Sequence, residues 1–329
     1  MTLRRREFIT LIGGAAAWPL AARAQQPAVP VIGFLAAASP DANAVRLRAF
    51  HEGLREAGYV EGRNYTIEYR WAEASSNRLP ELAVELVRDR VAVIVAGGGT
   101  ASALAAKSAT ATVPIVFGMA ADPISVGLIA SFNRPGGNVT GVTNLNAEVA
   151  PKRVELLHEV LPSATNVALL INPAVPATAD PISRTSQEAA RALGLKLHIL
   201  HASSERDFDT VFENMMQLHA DGLVIAPDNL FATHLEKLAS LASRHALPAI
   251  YEFYQFVAAG GLMSYGSSET ENYRVIGADT ARILSGENPA DIPVQQSTKV
   301  ELLINMKTAK ALGLTFPLGL LGRADEVIE

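Results

Sequence analysis

The sequence predicts an α/β protein of two doubly wound parallel-sheet lobes joined by a hinge. Three observations carry this. Short apolar runs alternate with amphipathic stretches of helical length, the pattern restarts near mid-chain, and no low-complexity linker separates the halves. Strands alternating with helices of this length need right-handed crossovers, which give a parallel sheet covered on both faces. Two runs of about five strands suit two sheets better than one very wide one. A closed eight-stranded barrel is the rival topology; the break near residues 135–150 and the irregular tail fit it poorly.

In order, Val29 to Leu35 reads as a buried strand. A helix follows, with Leu47, Phe50, Leu54 and Ala57 on one face and Gly58 closing it. Tyr65 to Trp71 alternates like a strand, Leu79 to Arg88 reads as a helix, and Val91 to Ala96 is a second continuous apolar strand. A small-residue helix over Ala101 to Ala109 leads to the strand Pro114 to Phe117. Asp122-Pro123 then begins a turn and a helix, and Pro135-Gly136-Gly137-Asn138 turns into the strand Val139 to Val142.

The second half repeats the scheme. Helix Pro151 to Leu161 carries its proline in the first turn. Strand Val167 to Ile171, helix Ile182 to Leu193, strand Leu195 to Leu200, helix Phe208 to Leu218 and strand Gly222 to Ile225 follow. Helix Leu235 to His245 and strand Ala249 to Tyr251 complete the set, and Gly260-Gly261 and Tyr265-Gly266 mark where the chain returns to the first lobe.

The N-terminus has the three-part layout of an export signal: Arg4-Arg5-Arg6, a short apolar run, and Ala22-Arg23-Ala24 as a small-x-small cleavage site. Trp18-Pro19 interrupts an apolar run already too short for a stable membrane anchor. Arg5-Arg6-x-Phe8-Ile9 resembles the twin-arginine export motif. Residues 1–24 are therefore expected to be removed near Ala24, placing the mature chain in the periplasm. There is no cysteine, so a lipid anchor at the cleavage point, disulfides and thiolate chemistry are excluded. The net charge is −5; residues 1–24 hold four arginines and one glutamate, which leaves −8 for the rest. An acidic surface with no basic tract argues against nucleic acid and anionic membranes as partners.

No phosphate loop, dinucleotide fingerprint or nucleophile elbow is present. His51-Glu52 and His158-Glu159 lack the second histidine of a metalloprotease helix, and the remaining histidines show no metal-ligand spacing. Neither an enzyme, a metal nor a cofactor is expected.

What the sequence offers is a set of small, polar or glycine-rich positions at strand C-termini, where ligands sit in open parallel sheets. Ser39 or Asp41 follows the first strand. Gly97-Gly98-Gly99 follows the third and lets backbone approach a ligand, with Thr100, Ala101 and Ser102 opening the next helix. Asp122 follows the fourth strand, Asn172 the first strand of the second half, and Asp228-Asn229 the strand ending at Ile225. A plain helix cap is the alternative for each; their recurrence favours a shared site. An aspartate here would accept a ligand ammonium or hydroxyl. Trp71, Glu252, Tyr254 and Tyr265 are aromatic or acidic candidates between the lobes.

The chain also resembles the ABC transporter substrate-binding family that includes tryptophan/tyrosine-type proteins. The resemblance rests on Val31-Ile32-Gly33-Phe34-Leu35, on the run from Phe50 to Tyr59, on Pro114-Ile115-Val116-Phe117 with Asp122-Pro123, and on the run from Arg134 to Gly141. Pro227-Asp228-Asn229, Ile292-Pro293-Val294, Leu302 to Asn305 and Ala309 to Leu314 continue it. It implies a type I periplasmic-binding fold with three crossings between lobes, the first lobe taking 27–145 plus 252–290 and the second 146–251 plus 291–329. It implies a small organic ligand, an amino acid or related carboxylate or aromatic compound, held by Ser39, Gly99, Thr100, Ala101, Ser102 and Asp122 on one side. Asn172, Asp228 and Asn229 would hold it on the other, with Glu252 and Tyr265 nearby. The implied partner is an ABC permease in the inner membrane, served by a monomer. The alternatives are a sensory binding protein that presents its ligand to a receptor kinase, and an exported enzyme.

Overall fold

The computed structural model describes residues 29–73, 75–144, 146–297 and 299–329. The expected export segment and its cleavage site lie outside them. The first half runs β1 (Val31–Ala36), α1 (Ala44–Glu56), β2 (Thr66–Trp71), α2 (Leu79–Arg88), β3 (Val93–Ala96), α3 (Thr100–Ala109), β4 (Ile115–Met119) and β5 (Val139–Thr143). The second runs α4 (Ala150–Val160), β6 (Asn166–Ile171), α5 (Pro176–Ala192), β7 (Lys196–His201), α6 (Asp207–Gln217), β8 (Gly222–Ile225), α7 (Asn229–Thr233), α8 (Leu235–Arg244), β9 (Ala249–Tyr251), α9 (Tyr254–Ala258) and β10 (Met263–Ser267). Then come α10 (Glu269–Leu284), β11 (Gln295–Gln296), β12 (Val300–Asn305), α11 (Met306–Ala311), α12 (Leu318–Leu321) and β13 (Glu326–Ile328).

These strands form two open sheets, ordered β11-β5-β4-β3-β1-β2 and β13-β12-β10-β9-β8-β6-β7. Each sheet is buried on both faces. In the first, β3 is wholly buried, with α2 and α3 packed on one face and α1 and α10 on the other. In the second, α4 and α5 cover one face, α6 and α8 the other. Continuous apolar strands such as Val93–Ala96 are what double burial requires. Among the described residues, no helix is long and apolar enough to cross a membrane.

The structure departs from the sequence reading in five respects. Pairing in the second sheet is parallel except that β12 runs antiparallel to β10, with Met263 opposite Ile304. The segment 252–267 stays with the second sheet, because β10 pairs with β9 and β12; the return to the first lobe comes only after Ser267. Conversely β11 pairs with β5, so 295–296 completes the first sheet before the last crossing. Finally, Asp122-Pro123 opens turns and no helix, whereas α5 begins at Pro176 and runs through Pro181. A proline in the second turn forfeits one intrahelical bond, and the buried face Thr178, Ala179, Ile182 and Ser186 keeps the helix in place.

One close approach positions the site. α10 lies against α1, and neither helix tolerates a side chain at the crossing. A Cβ on Gly53 would stand 2.0 Å from the Arg274 carbonyl oxygen, and one on Gly277 would stand 2.2 Å from that of Phe50. Alanine is the better helix former by about 1 kcal/mol, yet Gly277→Ala is expected to destabilise the protein by about 1–3 kcal/mol, since the obstructing atoms are backbone. Urea unfolding measures this; an unchanged or raised midpoint would contradict the packing argument.

Candidate functional site

Open α/β sheets bind ligands where the strand order reverses. In the first sheet that point lies between β1 and β3, in the second between β6 and β8. The two reversal points face each other. The Thr178 hydroxyl donates to Thr100 Oγ1 at 3.2 Å, and Asn229 Nδ2 donates to the Gly98 carbonyl. On the opposite side, Gln255 Nε2 donates to Glu269 Oε2 at 2.8 Å, and the Arg46 guanidinium lies 5.6 Å from the Phe253 ring centroid. Between these contacts lies a cavity of about 70 Å³, walled by residues of both lobes.

The glycine loop forms one wall. Gly99 has φ 78, a conformation that favours glycine, and a Cβ there would come within 2.9 Å of Asn229 Nδ2. It leads directly into α3, whose first N–H groups have no helical acceptor. Thr100 Oγ1 accepts from the Ala121 N–H at 3.4 Å and from Thr178, so its own proton remains to donate to a ligand oxygen.

Opposite stand the charges. Arg46, only 6% exposed, donates through Nε to Glu269 Oε1 at 2.6 Å. Asp228 caps α7, accepting from the Leu230 N–H at 2.8 Å and from Asn172 Nδ2 at 3.0 Å. Glu252 is 4% exposed, and its Oε2 has no hydrogen-bond partner. Tyr273, on the face of α10 that meets α1, donates to the Gly97 carbonyl and ties that helix to the glycine loop.

The family model for ABC transporter substrate binding proteins matches residues 29–328. The chain belongs to this family. A tyrosine-binding protein of Clostridioides difficile (strain R20291) is 26% identical over 272 residues, covering 81% of this chain and 76% of that relative. A conserved domain protein from Vibrio cholerae O1 biovar eltor str. N16961 superposes with a TM-score of 0.83 at 27% identity, covering 91% of this chain and 99% of its own. An ABC domain from Streptococcus pneumoniae in complex with L-Trp does so with a TM-score of 0.81 at 26% identity and the same coverage. With two parallel-dominated sheets, this substrate-binding protein has the type I periplasmic-binding fold.

Of the residues singled out in its sequence, Gly99, Thr100, Ala101, Asp228, Asn229 and Glu252 line the cavity. The others lie outside its wall. Ser39 accepts from the Ala42 N–H in the turn after β1, and Asp122 accepts from the Ile124 N–H at 2.9 Å, both as local caps. Ser102 is buried beneath Gly98, where a Cβ would meet its hydroxyl at 2.2 Å. Asn172 acts one step back, orienting Asp228. Tyr265 lies in β10 and offers its carbonyl to Arg153. Trp71 stacks on Tyr69 at 5.4 Å at the edge of the first sheet, and Tyr254 is exposed.

Sequence reading missed Arg46, Glu269 and Tyr273. A signal for Arg46 exists: it stands four residues before Phe50, on the buried stripe it shares with Gly53 and Leu54. A charged residue on an apolar stripe calls for a partner.

The binding protein's cavity holds its charges at a cost. Burial pushes the Glu252 carboxyl up to about 8, against the opposing pull of Arg153. Burial also pushes Asp228 to about 6, against the hydrogen bonds from Asn172 and Leu230, although this residue keeps some contact with solvent through the cavity. Burial works against the Arg46 guanidinium too, but Glu269 and Tyr273 outweigh it and raise its pKa. A carboxyl whose folded pKa lies above its unfolded value contributes stability that is complete below the ordinary glutamate value of 4.5 and lost as pH rises through about 8. The stability of the ligand-free wild type relative to Glu252→Gln is therefore expected to fall by about 1–4 kcal/mol across that window. Denaturant unfolding of both proteins at several pH values measures it; parallel curves would contradict the desolvation of Glu252.

Proposed function

We propose that this binding protein captures a small amino acid-like zwitterion, of the aromatic class, between its lobes and delivers it to an ABC permease of the inner membrane. It would act as a periplasmic monomer after losing residues 1–24. The observation that carries this reading is the charge inventory of the cavity. One guanidinium, Arg46, is already engaged by Glu269, while Asp228 and Glu252 add two carboxyls that no second cation of the wall faces among the described residues, Arg153 acting on Glu252 only from outside the wall. An ammonium placed between them restores their ionised forms and accepts no competing partner. A ligand carboxylate would then fall at the start of α3, against the Thr100 hydroxyl and the free N–H groups of Thr100 and Ala101. The relatives named for tyrosine and solved with L-Trp support an aromatic side chain, and Phe253 and Tyr273 supply rings in the wall.

Closure follows from the same geometry. A ligand that touches Thr100 and Asp228 together binds only when the lobes meet, so its affinity difference between open and closed forms drives the shift.

Isothermal titration with L-tyrosine and L-tryptophan tests the reading. Binding is expected, with a loss of roughly 10- to 100-fold for analogues lacking either the amine or the carboxylate. Asp228→Asn keeps an N-capping side chain and is expected to weaken binding by roughly tenfold or more, with little change in the unfolding midpoint. An affinity equal to wild type would return Asp228 to a purely capping role, and no binding of either amino acid would refute the ligand class.

A further inference from the structure

Arg153 is wholly buried, yet it forms no hydrogen bond to a carboxylate. It projects from α4, the first helix after the chain leaves the first sheet. Its Nε donates to the Tyr265 carbonyl at 2.7 Å, its Nη1 to the Asn146 carbonyl at 2.9 Å, and its Nη2 reaches Asn146 Oδ1 at 3.4 Å. Asn146 belongs to the first crossing between lobes; Tyr265 ends two residues before Ser267, where the second crossing begins. Asn146 Oδ1 also accepts from the Ser267 N–H at 3.0 Å. One guanidinium thus holds two of the three crossings side by side.

The same cluster reaches the ligand cavity by two routes. Ser267 Oγ accepts from Asn272 Nδ2 at 3.1 Å, and Asn272 lines the cavity. Glu252, whose unpartnered oxygen was described above, is the strongest favourable charge acting on Arg153 and also lines the cavity. The site is closely packed: a Cβ on Gly266 would stand 2.1 Å from the Glu252 carbonyl oxygen and 2.9 Å from Asn146 Oδ1. An arginine fork fixes direction as well as distance, which is what a hinge needs if closure is to be one defined rotation.

We propose that Arg153 is a positioning residue for lobe closure, clamping the crossing at Asn146 onto the one at Ser267 and linking that clamp to the ligand cavity through Asn272 and Glu252. The inference rests on the reading that the lobes open and close around a ligand, but its test needs no ligand. The chain has no cysteine of its own, so Ile124→Cys and Ala174→Cys, exposed positions on opposite lobes, can carry a fluorophore pair for single-molecule energy transfer. Arg153→Lys keeps the charge and removes the fork. In the ligand-free protein it is expected to broaden the transfer distribution and lower the closed-to-open ratio roughly tenfold. Asn146→Leu, which leaves the carbonyl but removes the Oδ1 bridge, is expected to shift the distribution the same way; it decides the matter alone if Arg153→Lys does not fold. A lower unfolding midpoint with a wild-type distribution in the folded variants would overturn the proposal and leave Arg153 a purely structural group. Adding L-tyrosine to the labelled wild type separates the two readings, since a ligand-insensitive distribution there counts against the proposed ligand class alone.

Discussion

Everything in the cleft depends on how buried charge is balanced. Arg46 and Glu269 neutralise each other across the top of α1 and α10. Asp228 and Glu252 make no ion pair of that kind, and although Arg153 pulls Glu252 toward ionisation, burial outweighs it and shifts both carboxyls toward the neutral form. A cavity built this way favours a cation from outside. The proposed preference for an amine rests on this imbalance of buried charge.

The backbone explains why those groups meet. Arg46 and Glu269 are 223 residues apart in sequence. They face each other because Gly53 and Gly277 let α1 and α10 approach until backbone touches backbone, which fixes their first turns at the mouth of the cleft. In the other lobe, β8 ends at Ile225 and the chain turns through Pro227 to Asp228, whose cap on α7 holds its carboxylate at the reversal point of the sheet. The folds of the two lobes thus supply opposite walls of one cavity.

Much of this was legible from the sequence. The continuous apolar run Val91 to Ala96 and the glycines after it pointed to a strand end of the kind that faces ligands. Thr100, Ala101, Asp228 and Asn229 followed from the same logic, and Glu252 was an acidic candidate between the lobes; all five line the cavity. Ser39 and Asp122 obeyed that logic too, but their side chains close local turns, a choice that depends on loop geometry the sequence does not encode visibly. Arg46 and Glu269 escaped because their meaning lies in a pairing between distant helices. The boundary at 252 was misplaced for a related reason: β10 carries glycine and serine, Met263-Ser-Tyr-Gly-Ser267, and reads as a loop until its neighbours β9 and β12 are known.

The claim that the cavity selects a positively charged amine is tested most directly by native mass spectrometry of the protein purified without unfolding, followed by identification of the released small molecule. The account predicts one molecule per chain, bearing a protonatable amine. A bound dicarboxylate or an uncharged sugar would contradict it.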